Sequence, residues 1–352
     1  MGSVVSISEP RTAEVIEEAD LPLSAGEVRL RTIFSGISAG TELADYRGTN
    51  PYLDKTWDPA RRLFQPGTPT IEYPLVGLGY EEVGEIVECA RDVTNVQVGD
   101  RVWGIWGHRS TTVKTAEYAS ERLLDPAADA RVGIFSHIGA VALNVVLDAD
   151  IHIGETVAVF GLGVPGQLVA QYARLNGARV IAVDGVASRR KLAAALGADE
   201  VIDPADGQVA ERIRDLTNGR GADACLEITG NHTALHEAVR SVAYNSRVCV
   251  AGFFQGGAAD LRLGEEFHMN RVQLVCSQIS GSSSSLQHRW DRYRLASTAI
   301  RLATEGRLQV LDLFTHTFPI AQAAQAYQLL DERPAEALQV LLEFGTDTTR
   351  ER

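Results

Sequence analysis

The stretch Val157–Asp184, VAVFGLGVPGQLVAQYARLNGARVIAVD, constrains this chain more than any other. An apolar run, Val157–Phe160, leads into Gly161-x-Gly163-x-x-Gly166. An amphipathic segment rich in Ala, Leu and Val follows, and a second apolar run, Val180–Val183, ends on Asp184. A glycine pattern alone means little in a chain with 32 glycines. Strand, glycine turn, helix, strand and acid in this order are what a dinucleotide site requires. Gly161 permits the tight turn, Gly163 lets a pyrophosphate approach the backbone, and Gly166 lets the helix pack on the sheet. Leu162, Val164 and Pro165 complete the loop, whose helix N-terminus offers free N–H groups to phosphate. Asp184, 18 residues beyond Gly166, is placed to accept hydrogen bonds from a ribose diol.

At 352 residues the chain is long enough for two domains with full cores. A net charge of −13 argues against nucleic acid or an anionic membrane as main partner. No apolar run is expected to reach the roughly 20 residues of a membrane span. The opening MGSVVSISEPRTAEV lacks the basic start and apolar core of a signal peptide, so a cytoplasmic location is expected. Cys89, Cys225, Cys249 and Cys276 fall in apolar, strand-like runs without C-x-x-C spacing. They read as small buried hydrophobes in a reducing compartment.

The first part of the chain is rich in strands and turns. Glu27–Ile33 alternates polar and apolar residues, and Glu82–Val87 and Arg101–Ile105 also read as strands. A polar insertion with Pro, Trp and Arg runs from Thr49 to Tyr73. An apolar helical pattern covers Arg131–Asp150. Strands and helices then alternate to about Ser277, the pattern of a doubly wound parallel sheet in an α/β protein. The tail reads helix, strand, helix, strand. A nucleotide-binding domain inserted into a discontinuous β-rich domain fits this order.

Further segments carry a family resemblance: Ser35-Gly-Ile-Ser38-Ala-Gly-Thr41-Glu42, Tyr80-Glu81-Glu-Val-Gly-Glu-Ile-Val87, Val98-Gly-Asp-Arg-Val102 and Gly221-Ala-Asp-Ala-Cys-Leu-Glu-Ile-Thr-Gly230. With the glycine turn, they resemble the medium-chain dehydrogenase/reductase (alcohol dehydrogenase-like) superfamily over nearly the whole chain. The resemblance implies a GroES-like catalytic domain, 1–137 and 279–352, around a Rossmann domain, 138–278, with the substrate cleft between them. It also implies a homodimer formed by Rossmann edge strands near Val272–Ser277.

The departures matter as much. Zinc-dependent members carry SGxCGTD and GHE, whose Cys and His, with a third residue, hold catalytic zinc. Here those slots fall at Ser38, Tyr80 and near His137. Neutral Ser and Tyr are poor zinc ligands beside thiolate and imidazole. The cysteine-rich structural zinc lobe is also missing, so no metal is expected; the alternative is a residual metal site using His137 and Glu81. The pair SGISAGTE and GYE is similar to the zinc-independent branch that includes bacteriochlorophyllide dehydrogenase-like proteins.

Asp184 would repel a 2′-phosphate, so NAD is expected over NADP. By resemblance, Arg189 lies against the adenine ribose, and Thr229, Gly230, Gly252, Phe253 and Phe254 line the cofactor cleft. Arg190 reads as either a phosphate ligand or a solvated charge. Without zinc, a side chain must act as acid/base or hydrogen-bond donor at the substrate oxygen. Tyr80, in the slot of a lost ligand, is either that donor or a filler, and its phenol would need lowering to act as base. His137 titrates nearer the task. Ser38 and Thr41 orient the oxygen or bond within a turn. Glu81 either sets the charge of a neighbour or pairs with an Arg. Trp57, Trp103, Trp106 and His108 come from segments that could wall the cleft.

These features imply a zinc-independent oxidoreductase moving hydride between NAD(H) and a secondary alcohol or ketone, such as a sugar, cyclitol or specialised metabolite. The alternatives are an NAD(P)H-dependent reductase of activated C=C bonds and a cofactor-binding protein without turnover.

Overall fold

A computed structural model describes residues 2–345. The chain divides into two compact units. One runs to His137 and resumes at Val310; the other is Ile138–Gln309.

The first unit is built on a sheet whose central strand is Glu27–Ile37. Strand order is Phe314–Pro319, Gln339–Glu343, Glu27–Ile37, Glu82–Cys89, Arg101–Gly104, with Thr111–Thr115 also pairing to Glu27–Ile37. Alternation along Glu27–Ile37 buries Val28 and Leu30. The strand Gln339–Glu343 places Val340 opposite Ile37, so both ends of the chain share one ladder. A smaller sheet, Gly2–Glu9 with Thr12–Glu18 and Leu75–Val76, had no clear signature in the sequence. Ile7, Ile37, Leu43, Tyr327 and Val340 meet in one core. Burying each such side chain stabilises the fold by about 1.5–3 kcal/mol. The polar insertion is more ordered than a long loop. Asn50 caps a 3-10 turn, Pro51–Leu53, and the strands Thr56–Asp58 and Leu63–Gln65 pair. Phe64 packs its ring 4.9 Å from Trp57 and 5.2 Å from Tyr52, so Trp57 is engaged within the insertion.

The second unit carries a six-stranded, all-parallel sheet: Glu200–Ile202, Arg179–Val183, Thr156–Phe160, Ala222–Glu227, Val242–Val250, Gln273–Cys276. Chain order reverses between Thr156–Phe160 and Ala222–Glu227, the switch point where open α/β sheets bind ligands. Apolar residues on the inner strands, Val157–Phe160, Val180–Val183 and Cys225–Leu226 among them, are buried because helices cover the sheet, whereas Leu274 and Cys276 on the edge strand are exposed.

Three expectations need correction. Residues 279–309 belong to the unit that carries the parallel sheet. Helix Arg292–Thr304 sets Ala299 so close to Gly139 that a Cβ there would lie 2.7 Å from it. Gln171 also bonds both ways to the Gln309 backbone, at 2.8 and 3.1 Å. The serine-rich loop is pinned from helix Phe135–Asp148: Asp148 accepts from Ser277 Oγ at 2.7 Å and Ser283 N at 2.6 Å, and Asn144 from Ser282 Oγ at 2.7 Å. Second, the run 130–148 is as long and apolar as a membrane-crossing helix. Yet 72 % of its apolar window is buried in protein, as in a core helix. Third, Cys276 is exposed on the last strand of the parallel sheet and Cys89 is half-buried; only Cys225 and Cys249 are core residues.

Candidate active site

The glycine turn sits at the switch point. Gly161 follows strand Thr156–Phe160 with φ +93°, a region that favours glycine, and an added Cβ would lie 2.6 Å from Thr229 Cγ2. At Gly166 it would lie 1.8 Å from the Gly161 carbonyl oxygen. Gly163, which caps helix Val164–Leu175, is different: the nearest atom is Pro165 Cδ at 3.9 Å. Two glycines are therefore required by packing, and the third leaves its face open. Val164 and Pro165 form the first turn of that helix, while Leu162 is fully buried.

Asp184 Oδ2 accepts from Leu162 N and Oδ1 from Val186 N, both at 2.7 Å. The acid thus ties the glycine loop to its own strand end. Arg190 is neither a solvated charge nor free for phosphate: its guanidinium donates to the Asp184 carbonyl at 2.6 Å and pairs with Asp203 at 2.5 Å. Arg189 is half-buried on helix Ala187–Ala195, and its carbonyl accepts from the Gln167 amide at 2.9 Å. Beside these groups lies a cavity of about 570 Å³, lined by Gly161, Asp184, Thr229, Asn231 and Thr233 among others. Asn231, which caps helix His232–Ser241, and Thr233 were missed in the sequence.

Thr229 and Gly230 lie beyond the end of strand Ala222–Glu227, held by the buried Glu227 carboxylate, which accepts from Thr229 N at 2.7 Å. Gly252 packs directly on Gly230, where a Cβ would lie 2.1 Å from its nitrogen. Phe253 is exposed, whereas Phe254 packs against the core of this unit. Phe254 is half-buried, part of its side chain taken up by packing against that core.

In the first unit the structure brings Ser38, Thr41, Tyr80 and His137 together. The Tyr80 hydroxyl donates to Ser38 Oγ and is also hydrogen-bonded by Thr41. The His137 ring centroid is 4.6 Å from that of Tyr80. Burial first, then the Glu81 and Glu42 carboxylates, push the Tyr80 phenol well above its usual range. Tyr80 is thus a neutral donor, not a ready base. Ser38 and Tyr80 direct hydroxyls at each other, and the four cysteines lie elsewhere in the sheets. Ser38 and Tyr80 thus offer neutral hydroxyls in the slots where catalytic zinc would take thiolate, imidazole or carboxylate ligands.

Among the described residues Glu81 pairs with no arginine. It is buried against Gly36 and hydrogen-bonded by Gln339, and its Oε2 finds no hydrogen-bond partner among them. Burial, then Glu42 and Glu82, raise its carboxyl well above the ordinary range. A carboxyl with a raised native pKa contributes stability that is complete below the unfolded value, about 4.5, and is lost as pH rises through the native one. Glu81→Gln fixes the neutral form. It is expected to gain about 1–3 kcal/mol at pH 8 and to flatten the fall of stability with pH, read by urea unfolding between pH 5 and 9. A loss of stability at pH 8 would show that the charged form is the paired one.

His108 is not a cleft wall. It is fully buried, with Nε2 2.7 Å from Glu42 Oε2 and Nδ1 2.5 Å from Ser35 Oγ. Gly79, at φ +108°, makes room: a Cβ would lie 2.7 Å from His108 Cε1. Trp106 is core, its indole donating to Thr32 Oγ1 at 2.9 Å, and Trp103 is likewise buried.

A doubly wound sheet with a glycine turn at its switch point, and a GroES-like unit carrying clustered hydroxyls, define a nicotinamide-cofactor oxidoreductase. Comparison with known proteins makes this specific. The alcohol dehydrogenase GroES-like domain model matches residues 25–183 and the zinc-binding dehydrogenase model residues 163–298. D-guloside 3-dehydrogenase of Escherichia coli K12 is 32 % identical over 343 residues, covering 95 % of this chain and 98 % of its own. An NADH complex of an E. coli CFT073 alcohol dehydrogenase superposes with TM-score 0.76 at 21 % identity, covering 97 % of this chain and 99 % of that one. A Sinorhizobium meliloti 1021 protein bound to NADP gives TM-score 0.77 at 20 % identity, covering 97 % and 99 %. The chain belongs to the medium-chain dehydrogenase/reductase, alcohol dehydrogenase-like superfamily.

Proposed function

We propose that this protein is a zinc-independent, NAD(H)-dependent dehydrogenase of a secondary alcohol on a sugar or sugar-like ring. One observation carries the reading: the residues in the family's ligand slots, Ser38 and Tyr80, form a hydroxyl pair. When bound, the nicotinamide supplies or accepts the hydride. The proton falls to the protein. Because Tyr80 donates to Ser38, the Ser38 hydrogen is free to point at a substrate oxygen. In ketone reduction Ser38 passes its proton to the developing alkoxide and is refilled from Tyr80 as His137 reprotonates the phenol, so that no tyrosinate is left; oxidation runs the relay in reverse, with His137 the final proton acceptor. Raising the phenol favours holding that proton. His137, beside Tyr80, is the candidate for exchanging it onward. The full-length likeness to D-guloside 3-dehydrogenase supports a glycoside-type alcohol as substrate class.

The residues proposed to hold the cofactor are the Gly161–Gly166 loop, Asp184, Arg189, Thr229, Gly230, Gly252 and Phe253. Asp184 supports NAD through its charge, and Arg190 is already engaged by Asp203 and by the Asp184 carbonyl. Asp184→Ser should lower NADH affinity about tenfold, since it also releases Leu162 N and Val186 N, and move the NADPH/NADH preference at least tenfold toward NADPH. Fluorescence titration reads both; an unchanged preference would remove Asp184 from the selectivity role.

A cytoplasmic homodimer completes the proposal. Four unpaired cysteines support a reducing compartment, and the exposed edge strand Gln273–Cys276 supports sheet-edge pairing, to be checked by light scattering. The deciding experiment combines metal analysis of purified protein with oxidation of a glycoside panel by NAD and NADP. Stoichiometric zinc required for turnover would sink the metal-free chemistry, and NADP preference would sink the cofactor assignment.

A further inference from the structure

Behind Ser38 and Tyr80 lies a buried polar cluster whose hydrogen bonds can be counted. Glu42 makes three contacts: it accepts from Ser38 N on Oε1 at 2.8 Å and from Tyr327 OH on Oε2 at 2.7 Å, and His108 Nε2 lies 2.7 Å from Oε2. Glu82 accepts Glu81 N at 3.1 Å and Ser35 Oγ at 3.2 Å on Oε1, and Trp106 N at 2.7 Å on Oε2. Ser35 has one hydrogen. If it goes to Glu82, then the 2.5 Å contact between Ser35 Oγ and His108 Nδ1 requires the ring nitrogen to donate. Nε2 must also donate, because the oxygen it meets, Glu42 Oε2, is an acceptor that also receives the Tyr327 hydroxyl. Both ring nitrogens then carry hydrogen.

We infer that His108 is an imidazolium held between Glu42 and Glu82, and that this buried carboxylate–imidazolium–carboxylate triplet is the positioning device for the Ser38–Tyr80 pair. The titratable groups packed around it come from several elements: Glu42 and Asp45 from helix Thr41–Arg47, Tyr80, Glu81 and Glu82 from the next strand and its approach, Tyr327 from helix Ala323–Glu332, and Lys114 acting on Glu82 by charge. One imidazolium among three buried carboxyls leaves Glu42 and Glu82 as acceptors without stranding either charge. Through Ser38 N, the Glu42 carboxylate sets where the Ser38 hydroxyl stands. Through Tyr327 it ties that position to the C-terminal helix, 285 residues away in sequence. Glu42, His108 and Tyr327 are therefore positioning residues and touch no reacting atom.

The functional half rests on the proposed role of Ser38 and Tyr80; the protonation half does not. Ring ¹⁵N–¹H correlations of His108 in the full-length protein without substrate test the latter. Both nitrogens are expected at imidazolium shifts from pH 6 to pH 9. A neutral tautomer at pH 7 would overturn the assignment and mean that Ser35 donates to Nδ1 instead of to Glu82. Glu42→Gln is expected to lower kcat 10- to 100-fold, with KM within threefold and NADH affinity unchanged. Should that variant fold poorly, Tyr327→Phe removes one donor to Glu42 and is expected to lower kcat three- to tenfold, again at constant KM. If the Tyr80→Phe enzyme is inactive while both of these keep wild-type kcat, the positioning role is wrong and the reading of Tyr80 stands. If Tyr80→Phe is fully active, that reading fails, whatever the state of His108.

Discussion

Replacing Gly166 with alanine is expected to weaken NADH binding at least 100-fold. The added methyl would sit 1.8 Å from the Gly161 carbonyl oxygen and 2.8 Å from its carbon. These are backbone atoms of the turn itself, so no side chain can swing aside. Either the turn opens or helix Val164–Leu175 slides away from the sheet. Both moves carry the N–H groups at the helix start away from a pyrophosphate. Overpacking of this kind also costs about 1–3 kcal/mol of stability, so the melting temperature should fall. Gly163→Ala is the informative control. With its nearest atom at 3.9 Å, an alanine there fits the fold and should leave the melting temperature unchanged. It should still weaken NADH binding, because the methyl occupies the phosphate approach. Titration and thermal unfolding of both variants check this. NADH affinity within threefold of wild type in Gly166→Ala would mean that this turn is not the cofactor site.

Tyr80→Phe is expected to lower kcat by about 10²–10⁴-fold, the usual contribution of a positioned acid or base. Cofactor affinity should not change, because Tyr80 belongs to the first unit and the proposed cofactor residues to the second. The phenol donates to Ser38 and is bonded by Thr41, while burial and two carboxylates keep it neutral. Phenylalanine keeps the ring beside His137 and removes only the proton source. Pre-steady-state hydride transfer, followed by NADH absorbance, separates the chemical step from product release. A rate within threefold of wild type would make Tyr80 a filler of the vacated ligand slot and leave Ser38 and His137 as the candidates.

Much of this was legible in the residues because it is local. Gly161, Gly166 and Asp184 lie within a single βαβ unit, so their spacing alone prescribes a turn, a close helix and an acid at the next strand end. Ser38 and Thr41 share one motif, and Tyr80 opens another. What escaped was long-range. His108 read as a cleft wall because its partners, Glu42 and Ser35, lie 66 and 73 residues away. Tyr327 carried no signal, being one aromatic on an amphipathic helix whose buried face looked like any core stripe. The domain boundary slipped for a similar reason. A serine-rich segment has the composition of a linker, and only Asn144 and Asp148, from a helix far upstream, show that it is fastened to the nucleotide-binding unit.

The sequence by itself determined the dinucleotide-binding βαβ unit, the family, and the replacement of zinc-ligand residues by Ser38 and Tyr80. Each is a matter of which residue stands at which short spacing. The tertiary structure decided how those residues are placed: that the Tyr80 hydroxyl is hydrogen-bonded to Ser38, that Asp184 braces the glycine loop, and that Glu42, His108 and Glu82 lie buried behind the pair. Hydrogen-bond direction and charge state depend on burial and on neighbours brought from distant segments, and those neighbours are set only when the chain has packed.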